Sequence, residues 1–420
     1  MDAFSIEGGH HLFGTVAIPG AKNSVLPMLA ASILCRGTVQ LYHVPQLSDV
    51  AASLQILDSL GCATQYEKGA ITVRSGNLSS STVPPELMRM MRSSVFYLAP
   101  LLARTGRAVI TQPGGCQLGA RPIDLHLAGL VAMGARVTQN AAENQMILTA
   151  PFGLYGADFT LRFPSVGATE TLLMAAVTAR GNTVLRNVAT EPEIADLARF
   201  LQAAGARISG IGTRTLRIIG QEFLLGVQHT VCPDRIVAAT VLCAVAGCGG
   251  EVMLTQCNPS HLMRISEVLR RADCMCSAVD CHSITLSSNG CLQMPHLCAS
   301  AVYPGFPTDA LPLLCAALLK ANGSGAFTDT VFENRFACAK GFAALGADVQ
   351  REGAALTING VRKLHAAQLQ AEDLRGGAAL CIAAMMAQGV SVVGGTELIA
   401  RGYESFTQLF SALGARIAQR

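Results

Sequence analysis

An apolar helix end, then Gly (usually followed by Ala), then a strand recurs along the whole chain. It stands at Leu60-Gly61-Cys62, Met133-Gly134-Ala135, Ala204-Gly205-Ala206, Leu345-Gly346-Ala347 and Leu413-Gly414-Ala415, with a degenerate copy at Ala272-Asp273-Cys274. The copies fall 68 to 73 residues apart, so six units of about 70 residues account for all 420. A glycine after a helix takes the left-handed capping conformation, and the apolar/polar alternation that follows reads as a half-buried strand. Several units carry a second mark, a glycine opening an alternating run: Gly37-Thr38-Val39, Gly181-Asn182-Thr183 and Gly389-Val390-Ser391. Each unit therefore holds helices and strands, and neighbouring units complete a common core.

A chain of 420 residues is long for one core. Six units divide as three and three. The candidate junctions are Pro19-Gly20 and Val231-Cys232-Pro233. One domain would span 21–230 and the other 231–420 together with 1–20, with a ligand in the cleft between them. The short strand before Pro19 is expected to pair with the last units. The strongest helical patterns include 24–35, 122–133, 309–321, 334–345 and 403–413. Half of the residues are hydrophobic and Trp is absent, so the cores are expected to be built from Ala, Leu, Val and Ile with closely approaching helices.

The composition also excludes some functions. A net charge of +3 without a Lys/Arg run weighs against a duplex nucleic-acid binder. Residues 1–20 lack a basic and apolar leader, which predicts a cytoplasmic protein. The uncharged stretch Gly376–Thr396 is long enough to raise a membrane question. Its glycines make it read instead as a buried helix, a turn and a strand, so no membrane insertion is expected. The 15 cysteines include no Cys-x-x-Cys. The densest group, Cys274, Cys276, Cys281, Cys291 and Cys298, matches no standard zinc spacing and reads as small apolar filling.

Chemistry concentrates in Pro113-Gly114-Gly115-Cys116-Gln117-Leu118-Gly119-Ala120-Arg121-Pro122-Ile123-Asp124-Leu125-His126. Its glycines and prolines predict a loop whose backbone approaches a ligand. Cys116 lies near Arg121, a setting that lowers a thiol's pKa and suits a nucleophile or general acid; the alternative is an incidental cysteine on a surface loop. Gly20-Ala21-Lys22-Asn23 opens a helix and suits an anion, or is only an exposed lysine at a helix start. Asp309 in Phe306-Pro307-Thr308-Asp309 is either a functional carboxylate or a helix cap. Asp373-Leu374-Arg375 is open to the same two readings.

Together with Pro164 to Glu170, Glu191 to Ile194, Val331 to Arg335 and Arg401 to Glu404, these stretches resemble the UDP-N-acetylglucosamine 1-carboxyvinyltransferase (enolpyruvyl transferase) family. The resemblance covers about Ile6 to Gly414. It implies an α/β fold, the two-domain inside-out α/β barrel with six βαβαββ repeats, three per domain. It also implies an activity: transfer of the enolpyruvyl group of phosphoenolpyruvate to the 3-hydroxyl of UDP-N-acetylglucosamine in peptidoglycan precursor synthesis, without metal or cofactor.

Roles follow from the same resemblance. Lys22, Arg121 and Arg401 would hold the phosphate and carboxylate of phosphoenolpyruvate, with Asn23 nearby. Cys116 would protonate the vinyl carbon and be the target of fosfomycin, and Asp309 would take the sugar hydroxyl proton. Pro122, Ile123, Asp124 and Leu125, with Arg121, Ser165, Val166 and Gly167, would bind the uridine diphosphate part. Arg92 and Val331 would line the amino-sugar side, Arg335 would join the binding set, and Asp373 and Arg375 would support the reacting centre. The sequence departs from the family pattern at Ser48, at Phe163-Pro164 (where Arg162 could serve instead) and at Leu311, Pro312 and Leu313. Three other readings remain: the sister enzyme acting on shikimate 3-phosphate, which lacks the Gly-Gly-Cys loop; a silent sugar-nucleotide binder; and a six-repeat nucleic-acid clamp.

Overall fold

A helix that is apolar on every side can be stable in water only if it is covered on every side. The helices Arg235–Cys248, Leu311–Ala317 and Leu374–Met386 are of this kind. Ile236 to Gly247, all of Leu311–Ala317 and Arg375 to Met386 are buried, and the three pack on one another. The computed structural model describes residues 3–111, 122–140, 144–295 and 297–420. The chain divides into two compact units, one reaching from Gly20 to Cys232, the other combining the segment up to Pro19 with Pro233–Arg420.

The covering layers are sheets of one repeated design. In each, an edge strand runs parallel to its neighbour and two antiparallel strands follow. In the Pro233–Arg420 unit the sheets are, from that edge, Leu12–Ala17, Gly250–Thr255, Ile284–Ser288 and Met275–Ala278; Leu297–Ala299, Ser324–Thr328, Ala355–Asn359 and Asp348–Glu352; and Gln368–Gln370, Val390–Gly394, Ala3–Glu7 and Arg416–Gln419. In the Gly20–Cys232 unit they are Leu224–Thr230, Cys35–Tyr42, Ala70–Arg74 and Ala63–Glu67; Asp158–Thr160, Asn182–Arg186, Thr215–Ile219 and Arg207–Ser209; and Arg107–Thr111, Gln145–Thr149 and Arg136–Asn140. In the last sheet a bridge from Thr82 to Val109 takes the parallel edge position. Strand burial alternates, as in Gly250–Thr255 and Ala355–Asn359, so one face of each sheet meets helices and the other meets water. Helices inside and sheets outside make each unit an inside-out α/β barrel.

The repeat marks read from the sequence have a conformational basis. Gly61, Gly134, Gly205, Asp273, Gly346 and Gly414 all have φ between 70° and 104°. The degenerate copy keeps the left-handed geometry with an aspartate, a residue that tolerates it better than most.

Three local points compare with the expectations from sequence. The strand directly before Pro19, Leu12–Ala17, pairs with the later units as expected, lying parallel to Gly250–Thr255. The preceding strand, Ala3–Glu7, is the one that enters the last sheet. The helix expected over 334–345 begins only at Ala339, because side-chain bonds to the chain around Val331 and Arg335 override local propensity. A helix at Leu98–Thr105 is not singled out by periodicity, since it is apolar and interrupted by Pro100. That proline sits in the first turn, where its missing N–H had no intrahelical partner.

The central helices meet at Gly247, where a Cβ would lie 2.6 Å from Met386 Sδ and 3.0 Å from the Ala317 Cα. Among the described residues no helix is long and apolar enough to cross a membrane. Gly247→Ala forces a methyl against backbone and is expected to destabilise its unit by about 1–3 kcal/mol. Urea unfolding followed by circular dichroism checks this; an unchanged midpoint would show that the three helices have slack at the contact.

Candidate active site

In the Gly20–Cys232 unit, Lys22 is the first residue of the Lys22–Ala31 helix. Its Nζ lies 2.7 Å from Asp49 Oδ2, both side chains being buried. Asp49 belongs to the first turn of the Ser48–Ser59 helix, where the helix dipole favours an anion. An anionic ligand at Lys22 therefore shares the ammonium with Asp49. Asn23 is exposed beside it. The segment is held from behind by Asp196, which accepts hydrogen bonds from Ser24 Oγ at 2.7 Å and from the Cys232 N–H at 2.9 Å, and lies 2.9 Å from His229 Nε2. Burial alone would raise the Asp196 carboxyl; the bonds from His229, Cys232 and Ser24 outweigh it and hold it below the usual range.

A second group gathers at the start of the Asp124–Ala132 helix. Pro122 is exposed; Ile123, Asp124 and Leu125 are half-buried. Asp124 pairs with Arg162, so the cation next to the Phe163-Pro164 departure does reach this cluster. His126 is pushed down to about 4 by burial and by Arg92, against the pull of Asp124. A Cβ on Gly167 would lie 3.0 Å from His126 Nε2, which places the Ser165-Val166-Gly167 helix start against the same imidazole. Ser165 caps that helix by accepting from the Ala168 N–H. The structure thus brings Arg92, Asp124 and Gly167 around His126. Cys116 and Arg121 lie outside the described residues.

In the Pro233–Arg420 unit the centre is Asp309. It lies in the short 3-10 turn Thr308–Ala310, and neither that turn nor the helix after it has a side-chain cap. The cap reading of Asp309 therefore fails. Its carboxylate instead accepts from Arg335 Nη2 at 3.0 Å and Arg375 Nε at 3.2 Å. The side chains of Arg335 and Arg375 are 0% and 4% exposed and that of Asp309 is 28%, so the carboxylate is the member of this group that a ligand can reach. Burial alone would lower the Arg375 pKa, but Asp309, Tyr403 and Asp234 raise it further than burial lowers it. The guanidinium of Arg335 lies over the Phe332 ring, and that of Arg375 over Tyr403.

Asp373 is a cap, as one of its readings held: Oδ1 accepts from the Arg375 and Gly376 N–H groups. Burial raises its carboxyl above the usual range, against those bonds and Arg335. Arg401 is half-buried in the turn after Thr396–Ile399. The next residue, Gly402, is tight against Leu374, where a Cβ would lie 2.7 Å from its Cδ2. Val331 is half-buried. Three buried polar atoms around this centre, Arg335 Nη1, Arg375 Nη1 and Asp373 Oδ2, have no hydrogen-bond partner. Orphaned polar atoms clustered about a reachable carboxylate mark a place where a polar ligand completes the bonding. Chemically, a carboxylate steadied by two fixed guanidiniums can orient a hydroxyl and take its proton.

The departures sort by burial. Ser48 is exposed next to Asp49, whereas Leu311, Pro312 and Leu313 are core residues of a central helix. Sequence reasoning missed Asp49 and Asp196, whose partners are distant in the chain, and also Asp234 and Asp329, which accept from backbone N–H groups two and three residues on. Of the clustered cysteines, Cys274, Cys276 and Cys298 are buried and Cys281 and Cys291 exposed.

The fold is that of the carboxyvinyl (enolpyruvyl) transferases. The enolpyruvyl transferase NikO of Streptomyces tendae superposes with a TM-score of 0.90 over 100% of this chain and 98% of its own, at 24% identity. EPSP synthase of Acinetobacter baumannii gives a TM-score of 0.78 at 21% identity, covering 100% of both chains. At those identities the likeness is one of fold. The chain belongs to the EPSP synthase (3-phosphoshikimate 1-carboxyvinyltransferase) family, whose model matches residues 6–410. Within it, the chain is 44% identical over 418 residues to UDP-N-acetylglucosamine 1-carboxyvinyltransferase 2 of Carboxydothermus hydrogenoformans, covering 99% of each. It is 41% identical over 419 residues to UDP-N-acetylglucosamine 1-carboxyvinyltransferase of Finegoldia magna, covering 99% of this chain and 98% of that one.

One buried acid near the Ser165–Gly167 segment has a consequence for stability. Glu170 is raised well above the ordinary glutamic range by burial and then by Glu193 and Glu191. The folded chain therefore holds this proton more tightly than the unfolded chain. Its contribution is fully favourable below the unfolded pKa and is lost as pH rises toward the folded one. Glu170→Gln is expected to raise the urea midpoint at neutral pH, the gain vanishing near about pH 4; a gain that persists unchanged at the acid end would contradict this.

Proposed function

We propose that the chain transfers the enolpyruvyl group of phosphoenolpyruvate to the 3-hydroxyl of UDP-N-acetylglucosamine and releases phosphate. The observation that carries the reading is Asp309 held between two buried guanidiniums, in a chain that is 44% identical over its length to a relative of that name.

The chemistry requires a base for the sugar hydroxyl, a proton for C3 of the enol phosphate and positive charge on the leaving phosphate. Asp309 is the base, aligned by Arg335 and Arg375. Lys22 and Arg401, with Arg121, hold the phosphate and carboxylate; Asn23 assists beside Lys22. Cys116 delivers the proton. Both units thus contribute residues to the proposed reaction. The Asp124, Ser165, Val166 and Gly167 cluster, with Pro122, Ile123 and Leu125, receives the uridine diphosphate part. Arg92 and Val331 face the amino sugar, and Asp373 supports the centre through the backbone of Arg375. A low His126 pKa keeps that imidazole neutral beside the cluster at working pH, so it offers no charge to the diphosphate. No cofactor enters this scheme. The reading places the protein in the cytoplasm, at the start of peptidoglycan precursor synthesis.

Phosphate release should require both substrates, and shikimate 3-phosphate should not replace the sugar nucleotide. Turnover with shikimate 3-phosphate alone would overturn the substrate assignment. Cys116→Ser should lose about 10²–10⁴ in rate, the usual worth of a placed general acid. A variant with normal turnover would remove Cys116 from that role.

A further inference from the structure

Asp329 belongs to none of the roles assigned above, yet it accepts three hydrogen bonds beside Asp309. It follows the strand Ser324–Thr328 and is 3% exposed. Its Oδ1 accepts from the Val331 N–H at 2.8 Å and the Phe332 N–H at 2.6 Å. Its Oδ2 accepts from the Thr308 hydroxyl and lies 3.7 Å from Arg335 Nε. That same Arg335 Nε donates to Thr308 Oγ1 at 3.0 Å, while Nη2 donates to Asp309. One buried carboxylate thus fixes three things at once: the turn carrying Asp309, the guanidinium that aligns Asp309, and the backbone at Val331.

We infer that Asp329 is a positioning residue for the transfer reaction, coupling the base at Asp309 to the chain that faces the amino sugar. The inference rests on the proposed reaction. Its physical logic has two parts. A buried guanidinium needs a counter-charge. If Asp309 were the whole counter-charge of Arg335, its carboxylate would be too well stabilised to accept a proton. Asp329 takes part of that charge and leaves Asp309 basic. Its two backbone bonds also lock the Val331-Phe332 turn that would otherwise be free to follow local helix propensity.

Among the described residues, the other charged and titratable groups recorded around Asp309 include Arg375 and Asp373, with Asp234 and Tyr403 beyond Arg375. None of them contacts Val331 through an observed bond, so Asp329 is the link between base and sugar side.

The test is steady-state kinetics of the full-length protein across pH. Asp329→Asn keeps the shape and loses the charge. We expect kcat to fall about tenfold or more, and KM for UDP-N-acetylglucosamine to rise about fivefold, with KM for phosphoenolpyruvate within about twofold of wild type. The acid limb of the kcat profile should move to lower pH, because Arg335 then acts on Asp309 unopposed. Asp329→Glu should restore the position of that limb. Should Asp329→Asn fail to fold, Thr308→Val decides, since it leaves the Val331 and Phe332 bonds intact; it should lower kcat with little change in the sugar KM. A folded Asp329→Asn with a wild-type limb and wild-type KM values, or with both KM values raised alike and no limb shift, overturns the inference. Wild-type protein inactive on the sugar nucleotide would instead overturn the reaction it rests on.

Discussion

The absence of a polar face on the central helices governs how the Pro233–Arg420 unit is built. Arg235–Cys248 and Leu374–Met386 can be hydrated only at their ends, so everything between is buried and every flank must be covered. Three amphipathic sheets provide that cover, each turning its alternating apolar face inward. Close approach of the helices depends on small residues, with Gly247 at the contact where even a methyl would collide. Cysteines serve the same purpose: Cys243, Cys315 and Cys381 are buried, and burial pushes their thiols well above the ordinary range, which leaves them unreactive filling.

Such helices also confine chemistry to their ends. The N–H groups of a first turn need acceptors, and side chains from other elements can converge there. Asp234 caps Arg235–Cys248 and Asp373 caps Leu374–Met386. The turn before Leu311–Ala317 carries Asp309. The three N-terminal regions thus contribute Asp234, Asp309, Asp373 and Arg375, and the short chain at Asp329 to Arg335 adds the second guanidinium. In the Gly20–Cys232 unit Lys22 likewise stands at the start of its helix, and Val166–Ala176 begins at the Ser165 cap beside His126. The proposed binding groups lie where the barrel's interior design permits polarity.

Charge balance at these ends is local and tight. Arg335 is wholly buried yet lies between Asp309 and Asp329; Lys22 is buried against Asp49; Asp196 gathers a hydroxyl, an N–H and an imidazole. The orphaned atoms Arg335 Nη1, Arg375 Nη1 and Asp373 Oδ2 depart from that thoroughness. Other buried polar atoms also lack partners, His126 Nδ1 and Glu170 Oε1 among them, but these three gather around a carboxylate that a ligand can reach.

The repeat was legible in the sequence because left-handed caps demand glycine, or an aspartate at Asp273, and recur at fixed spacing. The apolar character of the inner helices, the Gly-Gly-Cys stretch and the family to which these belong were legible for the same reason: each is a property of residues near one another in the chain. What pairs with what was not. Leu12–Ala17 and Gly250–Thr255 lie far apart in sequence, and which strand of the later units takes up Leu12–Ala17 is decided by packing. Nor could sequence decide between Asp309 as a cap and as a carboxylate held by Arg335 and Arg375, since either residue type and position fits both. Local propensity favoured helix from Asn334 onward, and it lost to Asp329, which holds the Val331 and Phe332 N–H groups, and to Arg335, whose partners Thr308 and Asp309 are brought alongside only by the tertiary fold. Sequence determines the elements and their chemistry; the tertiary structure decides partners, because hydrogen bonds and ion pairs depend on distance in space rather than along the chain.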